Sequence, residues 1–160
     1  MTSTMRFDKW ENSLGQPYGT VIQAVYGSYG VGTSTTSGSY SDTGLSVTIT
    51  PRFSTSKILV IVNQAGCTKR NTDTTLQLRL VRDSTVLHWF ETSGGWTGNT
   101  GINSFGTVST MRLDSPNTTS AITYKTQMAA FSANGGEVAT QFSVGNGWST
   151  STITAMEIAG

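Results

Sequence analysis

The chain has little of what usually carries chemistry: one Cys, one His and nine carboxylates in 160 residues. A lone thiol excludes an intrachain disulfide, so packing or assembly must supply stability. One His and one Cys cannot build a structural zinc site within one chain. The segment Asp73–Thr75 lacks the Gly and Glu spacing of a calcium loop. Charged residues make up 12%, against about 25% in an ordinary globular protein. Ten basic and nine acidic residues leave a net charge of +1, with no basic field for nucleic acid and no acidic tail. The basic pair Lys69-Arg70 is too small a patch for a phosphate backbone. Long apolar runs are missing too. The longest, Ile58–Val62, suits one buried strand and falls far short of the roughly 20 residues that span a bilayer. Met1–Trp10 has no apolar core of a secretory signal. Neither nucleic-acid binding nor membrane insertion is expected.

What is abundant is hydroxyl. Twenty-eight threonines and twenty serines alternate with single apolar residues. Leu45–Thr50 and Ser151–Ile158 both show this period of two, which sets aliphatic side chains on one strand face and hydroxyls on the other. Nine strands are predicted: Thr20–Tyr26, Leu45–Thr50, Lys57–Gln64, Thr75–Arg82, Thr85–Glu91, Phe105–Leu113, Ala121–Ala130, Glu137–Val144 and Thr152–Ile158. Asp83-Ser84 reads as the tight turn of a hairpin. Residues 27–44 read as a long loop or ragged edge strand. Leu76, Leu78 and Leu80 are expected inward, with Gln77 and Arg79 outward. The fold expected is all-β: an antiparallel jelly-roll sandwich of about 8–10 strands with a short N-terminal arm, and an immunoglobulin-like sandwich as second choice.

Residues 1–16 differ from the jelly-roll segment 17–160. They are mixed-charge and aromatic, and too short to fold alone. Phe7 and Trp10, with Arg6 beside them, therefore need a partner surface, and they are read as a docking arm. Trp96 and Trp148 lie in Gly-, Asn- and Ser-rich loops, while Tyr29 and Tyr40 flank the ragged stretch. These four rings are the candidates for loop binding, where an aromatic can stack on a sugar or anchor a protein contact. Plugging the ends of the sandwich is their alternative role.

Enzyme readings fare badly. His88 sits within a predicted strand, and general-base work needs a partner and an accessible pocket. No Gly-x-Ser-x-Gly lies near a strand-to-helix turn. Gly94–Gly98 lacks the Lys-Ser/Thr of a phosphate loop. No catalytic residue, metal or cofactor is assigned, and the chain is expected not to be an enzyme.

The segments Gly44–Val62, Leu80–Thr85, Leu113–Gln127 and Ser151–Ala159 resemble stretches of tail-fibre-like and other virion proteins of marine tailed bacteriophages. Met5–Asn12 resembles the junction that precedes this module in longer fibres. The resemblance spans residues 5–160. It implies a trimeric jelly roll of the complement-globular and tumour-necrosis-factor kind, with a threefold axis lined by aromatic and aliphatic residues and with loops free to bind. The function it implies is a non-enzymatic structural protein on the virion surface, assembled in the host cytoplasm. It would dock to other virion proteins through residues 1–16 and contact host cell-surface carbohydrate, as a tail fibre or spike does. The alternative is a capsid decoration or cement protein with no receptor-binding role.

Overall fold

The computed structural model describes residues 19–132, 135–143, 145 and 149–160. They form ten strands: β1 Val21–Tyr29, β2 Thr33–Thr35, β3 Ser41–Ile49, β4 Lys57–Lys69, β5 Thr74–Arg82, β6 Thr85–Gly94, β7 Asn103–Asp114, β8 Ile122–Ser132, β9 Val138–Thr140 and β10 Ser151–Ile158. The pairings are nested. β5 and β6 form the innermost hairpin around Asp83-Ser84, β4 pairs with β7, β3 with β8 and β1 with β10, all antiparallel. This long hairpin folds over into two sheets, one ordered β1-β10-β4-β7 and the other β3-β8-β5-β6. Such a rolled double sheet is a jelly roll. The short strands β2 and β9 extend the first sheet beside the far end of β4.

Period-two patterning sets the core as expected on several strands. Leu45, Val47 and Ile49 of β3 face in, as do Leu76, Leu78 and Leu80 of β5. Several segments differ from the sequence reading, among them β6, which runs on from Glu91 to Gly94. The 27–44 stretch is ordered into the end of β1, all of β2 and the start of β3. β4 runs five residues beyond Gln64, because its second half gains β9 as a partner while β7 continues alongside. The predicted strand Glu137–Val144 shrinks to Val138–Thr140. β8 extends through Phe131 to Ser132, paired with β5 at Thr75 and Thr74.

Hydroxyls do not simply face out. Thr43, Thr126, Thr140 and Ser151 are fully buried with Gln64 and Gln141, and they form a hydrogen-bonded layer. Thr43 and Thr126 share a bond of 2.5 Å, and Thr126 Oγ1 donates to Gln64 Oε1 at 2.7 Å. The side-chain amides of Gln64 and Gln141 both donate to Ser151 Oγ. This layer separates an apolar cluster around Leu45, Val60 and Tyr124 from a second around Cys67, Leu78 and Met128. Each polar group finds a partner, so the layer fixes register instead of opening the core. Cys67 lies fully buried in the second cluster, and burial pushes its thiol up to about 12, so it is an inert packing residue.

Across the sheets, Arg82 of β5 pairs with Asp114 of β7 at 2.6 Å. Tyr124 Oη of β8 donates to the same carboxylate at 2.7 Å, and burial followed by this bond raises the phenol pKa. His88 Nε2 of β6 meets Thr110 Oγ1 of β7 at 2.8 Å. Burial, then the charge of Arg112, lowers the His88 pKa, so the ring acts as a neutral bridge between sheets.

Candidate functional site

A concavity lies at one end of the outer face of the β3-β8-β5-β6 sheet. It has a volume of about 540 Å³ and is lined by Trp96, Phe131, Thr75, Gln77, Thr92, Ser93 and Asp73. The alternation of β5 carries Thr75 and Gln77 to the face opposite its three leucines. Phe131, on β8 directly beside Thr75, is 70% exposed, and Trp96 is 59% exposed. Two open rings therefore flank a floor of hydroxyls and one amide. The Thr75 hydroxyl is buried and has no hydrogen-bond partner. Asp73 adds a carboxylate at φ 50°, a left-handed conformation that Asp tolerates better than most residues.

The Trp96 wall is held from beneath by Lys69, which is fully buried. Its ammonium donates to Asn71 O at 2.9 Å and to Thr97 O at 3.3 Å, and it also bonds Thr97 Oγ1 and Thr100 O. One cation thus gathers both loops that frame the groove. Asp73 N–H donates to Thr97 O at 3.0 Å, and Trp96 N–H to Ser93 O at 3.3 Å. Asn103 Nδ2 ties Gly95 O from β7 at 3.1 Å. The pair Lys69-Arg70 does not act as a basic patch: Lys69 turns inward, and Arg70 binds Glu137 at 3.1 Å.

A polar network continues from the groove across the same face. Tyr40 Oη donates to Gln77 Oε1 at 3.0 Å, and the Arg79 guanidinium lies 3.9 Å over the Tyr40 ring. Arg79 donates to Gln127, which donates to Asp42. Lys125 completes the chain at 2.9 Å from Asp42. Burial alone would raise the Asp42 pKa, but the Gln127 and Lys125 bonds and the nearby cations outweigh it and hold the pKa low.

The structure brings Trp96 and Tyr40 to this end of the sheet and leaves Tyr29 elsewhere. Tyr29 is half-buried in β1 against the first core cluster. Its ring covers Gly44, where a Cβ would stand 2.2 Å from the ring and where φ is +90°, at the bulge between Asp42 and Ser46. Only glycine permits that bulge under the ring. Trp148 and the arm residues Arg6, Phe7 and Trp10 lie outside the described residues. Sequence reasoning missed Phe131 and Lys69. The parity of β8 could have found Phe131, since it shares a face with Lys125 and Gln127.

The outer face of the other sheet is chemically different. Two adjacent cross-strand rows read Ala24-Met156-Leu59-Leu113 and Tyr26-Thr154-Ile61-Met111. Tyr26 and Met111 are about two-thirds exposed, and Leu113 nearly half. The next row, Ser28-Thr152-Asn63-Ser109, is neutral and polar. Ser109 and Thr152 both hydrogen-bond Asn63.

No protein-family model and no curated protein matches the chain, so the likeness to tail-fibre-like virion proteins rests on the quoted segments alone. Among solved structures, the chain is similar to infectious bursal disease virus VP2 in a subviral particle, at 11% identity and TM-score 0.46, over 88% of this chain and 40% of that one. It is similar to the Gt strain of that virus at 12% identity and TM-score 0.40, over 86% and 39%. It is also similar to a mutant VP2 from derived particles at 13% and 0.43, over 99% and 42%. The chain spans about two fifths of the length of these viral chains. Similarity at this level adds nothing about function.

Proposed function

We propose that this chain is a non-enzymatic structural protein of a tailed-bacteriophage particle. In this reading it is a virion-surface jelly roll that assembles as a homotrimer and docks to other virion proteins through residues 1–16. The observation that carries the reading is the pair of uncharged apolar rows on the outer face of the β1-β10-β4-β7 sheet, bordered on one side by the neutral polar row and on the other by Lys57 of β4. The two apolar rows run across four strands, which is more than scattered surface hydrophobes amount to. From strand and side-chain spacings, four rows across up to four strands, counting Val21-Ile158-Lys57 at one edge, present roughly 500 Å². Covering such a face from each of two copies buries on the order of 1,000 Å², the lower bound of a specific interface. A partner that covers it must itself be free of unpaired charge, since burying a lone ion is costly. A second copy meets that condition with its own neutral rows or with a hydroxyl-rich edge.

The groove on the opposite sheet supports a surface module over a pure cement protein. A single carboxylate, Asp73, lines it, whereas glycoside hydrolysis ordinarily needs two. The chain is therefore read as a binder, not a depolymerase. Copies per particle separate the two structural readings: tens indicate a fibre or spike, and hundreds a decoration protein.

Sedimentation velocity tests the assembly. Wild type is expected at trimer mass. Met111→Lys and Leu113→Glu are expected to give folded monomers, while Trp89→Lys, on the opposite sheet, leaves the trimer intact. A wild-type protein that stays monomeric in dilute solution rejects the reading.

A further inference from the structure

We infer that the Trp96–Phe131 groove binds an electrically neutral saccharide and discriminates against anionic sugars. This deepens the reading of a virion-surface module by giving that module a site and a ligand class. Three features converge. First, two exposed aromatic rings flank the groove, and the apolar C–H face of a sugar ring stacks on such surfaces while its hydroxyls stay free for polar partners. Second, the floor consists of uncharged groups from Thr75, Gln77, Thr92 and Ser93. Tyr40 Oη occupies Gln77 Oε1, which leaves the Gln77 amide nitrogen as the donor. The Thr75 hydroxyl is the decisive group: Thr75 is 5% exposed and its oxygen lacks a partner. Buried polar groups are nearly always paired, and a ligand hydroxyl at the groove floor would pair this one.

Third, the one ionic group among the residues lining the groove is a carboxylate. That group is Asp73, while the nearby cations are committed elsewhere. Lys69 is enclosed by the oxygens of Asn71, Thr97 and Thr100, and Arg79 is stacked on Tyr40 and bonded to Gln127. A uronic, sialic or sulfated sugar would bring its charge to Asp73 with no cationic side chain in the lining to pair with it. The volume of about 540 Å³ falls within the usual range of small-ligand pockets, about 300–1,000 Å³, so a short oligosaccharide fits better than a single ring.

The test is calorimetric titration of the full chain with gluco-, galacto- and manno-oligosaccharides of two to four rings, each beside its uronic-acid counterpart. At least one neutral oligosaccharide is expected to bind, and its uronate at least about fivefold more weakly, the effect of one like-charge contact in water. Trp96→Ala is expected to weaken binding about tenfold, and Phe131→Ser several-fold. Trp89→Ala, which removes an exposed ring outside the groove, changes nothing. Asp73→Asn narrows the gap between neutral and acidic sugars while keeping neutral binding. Thermal melts check that each variant is folded, and Phe131→Ser replaces Trp96→Ala if the latter is not. Absence of binding across the neutral panel overturns the inference, as do equal affinity for uronates or full affinity after loss of either ring. Any of these failures leaves the trimer mass unchanged, so it is distinguishable from failure of the assembly reading.

Discussion

The two outer faces of this sandwich are built on the same strand period yet have opposite chemistries. Across β3-β8-β5-β6, one row reads Asp42-Gln127-Arg79-Trp89, and its polar members are joined to each other through Asp42, Gln127 and Arg79. Across β1-β10-β4-β7, the matching surface holds Tyr26, Leu59, Ile61, Met111 and Leu113, with no ionic group in its two apolar rows. A face whose polar groups already satisfy one another can remain in water and offer a groove at its end. A face whose central rows are apolar and uncharged loses least when those rows are covered by another surface. In the function proposed above, assembly belongs to one side of the molecule and recognition to the other.

The comparison breaks most visibly at Lys69. If the groove end is as firmly built as its hydrogen bonds indicate, Lys69→Met removes the donor to four partly buried oxygen acceptors and costs about 2–4 kcal/mol in urea unfolding, with loss of any saccharide binding. By contrast, Met111→Ser on the apolar face, where the side chain is largely exposed, is expected to change monomer stability by less than about 0.5 kcal/mol. If the two costs are equal, the two faces do not divide labour as described.

The layer between the faces comes next. Thr126→Val removes the donor to Gln64 Oε1 and the bond to Thr43, and is expected to cost about 1–3 kcal/mol without changing oligomeric state. A loss of trimer there would mean that assembly depends on core register and not on the outer face alone.

Acid sharpens the picture further. Glu157 on β10 is fully buried. Burial by itself would raise its pKa, but Gln23 Nε2 donates to it at 2.6 Å and the Arg52 N–H at 2.8 Å, with Phe53 N–H beside them, and the net effect is a lowered pKa. A carboxylate with a depressed folded pKa contributes stability above its unfolded pKa, about 4.3, and loses it as pH falls through the folded value. Stability is therefore expected to decline below about pH 4.3, and Glu157→Gln removes that part of the decline in pH-dependent melts. The smallest effect is expected at the exposed end of the polar network. Asp42→Asn should cost no more than about 1 kcal/mol, and less in high salt.

Much of the fold was legible from period alone. The nested hairpin needed only the turn at Asp83-Ser84 and strands of matched length on either side, and the three leucines of β5 announced their own face. The site was less so. Trp96 stood out because a tryptophan in a Gly-rich loop has no local core to enter. Its opposing wall, Phe131, was read past because the strand seemed to end at Ala130. Lys69 looked like half of a basic pair, since nothing in its neighbours signals that carbonyls from residues 71, 97 and 100 converge on it. The expectation that hydroxyls line the outside held on β3, where Ser46 and Thr48 face out. It held only in part on β10, where Thr152 and Thr154 face out over buried Ile153 and Ala155, but Ser151 and Glu157 turn in while Met156 and Ile158 lie on the outer face.

The sequence by itself determined an all-β chain poor in charge and in reactive groups, because alternation and composition are local properties that each strand carries alone. Which alternating face became core, which became an apolar exterior and which closed around a groove was decided only when the hairpin folded over. That choice depends on partners far apart in the chain, and a hydroxyl, a lysine or a methionine takes its role from what the opposite sheet presents to it.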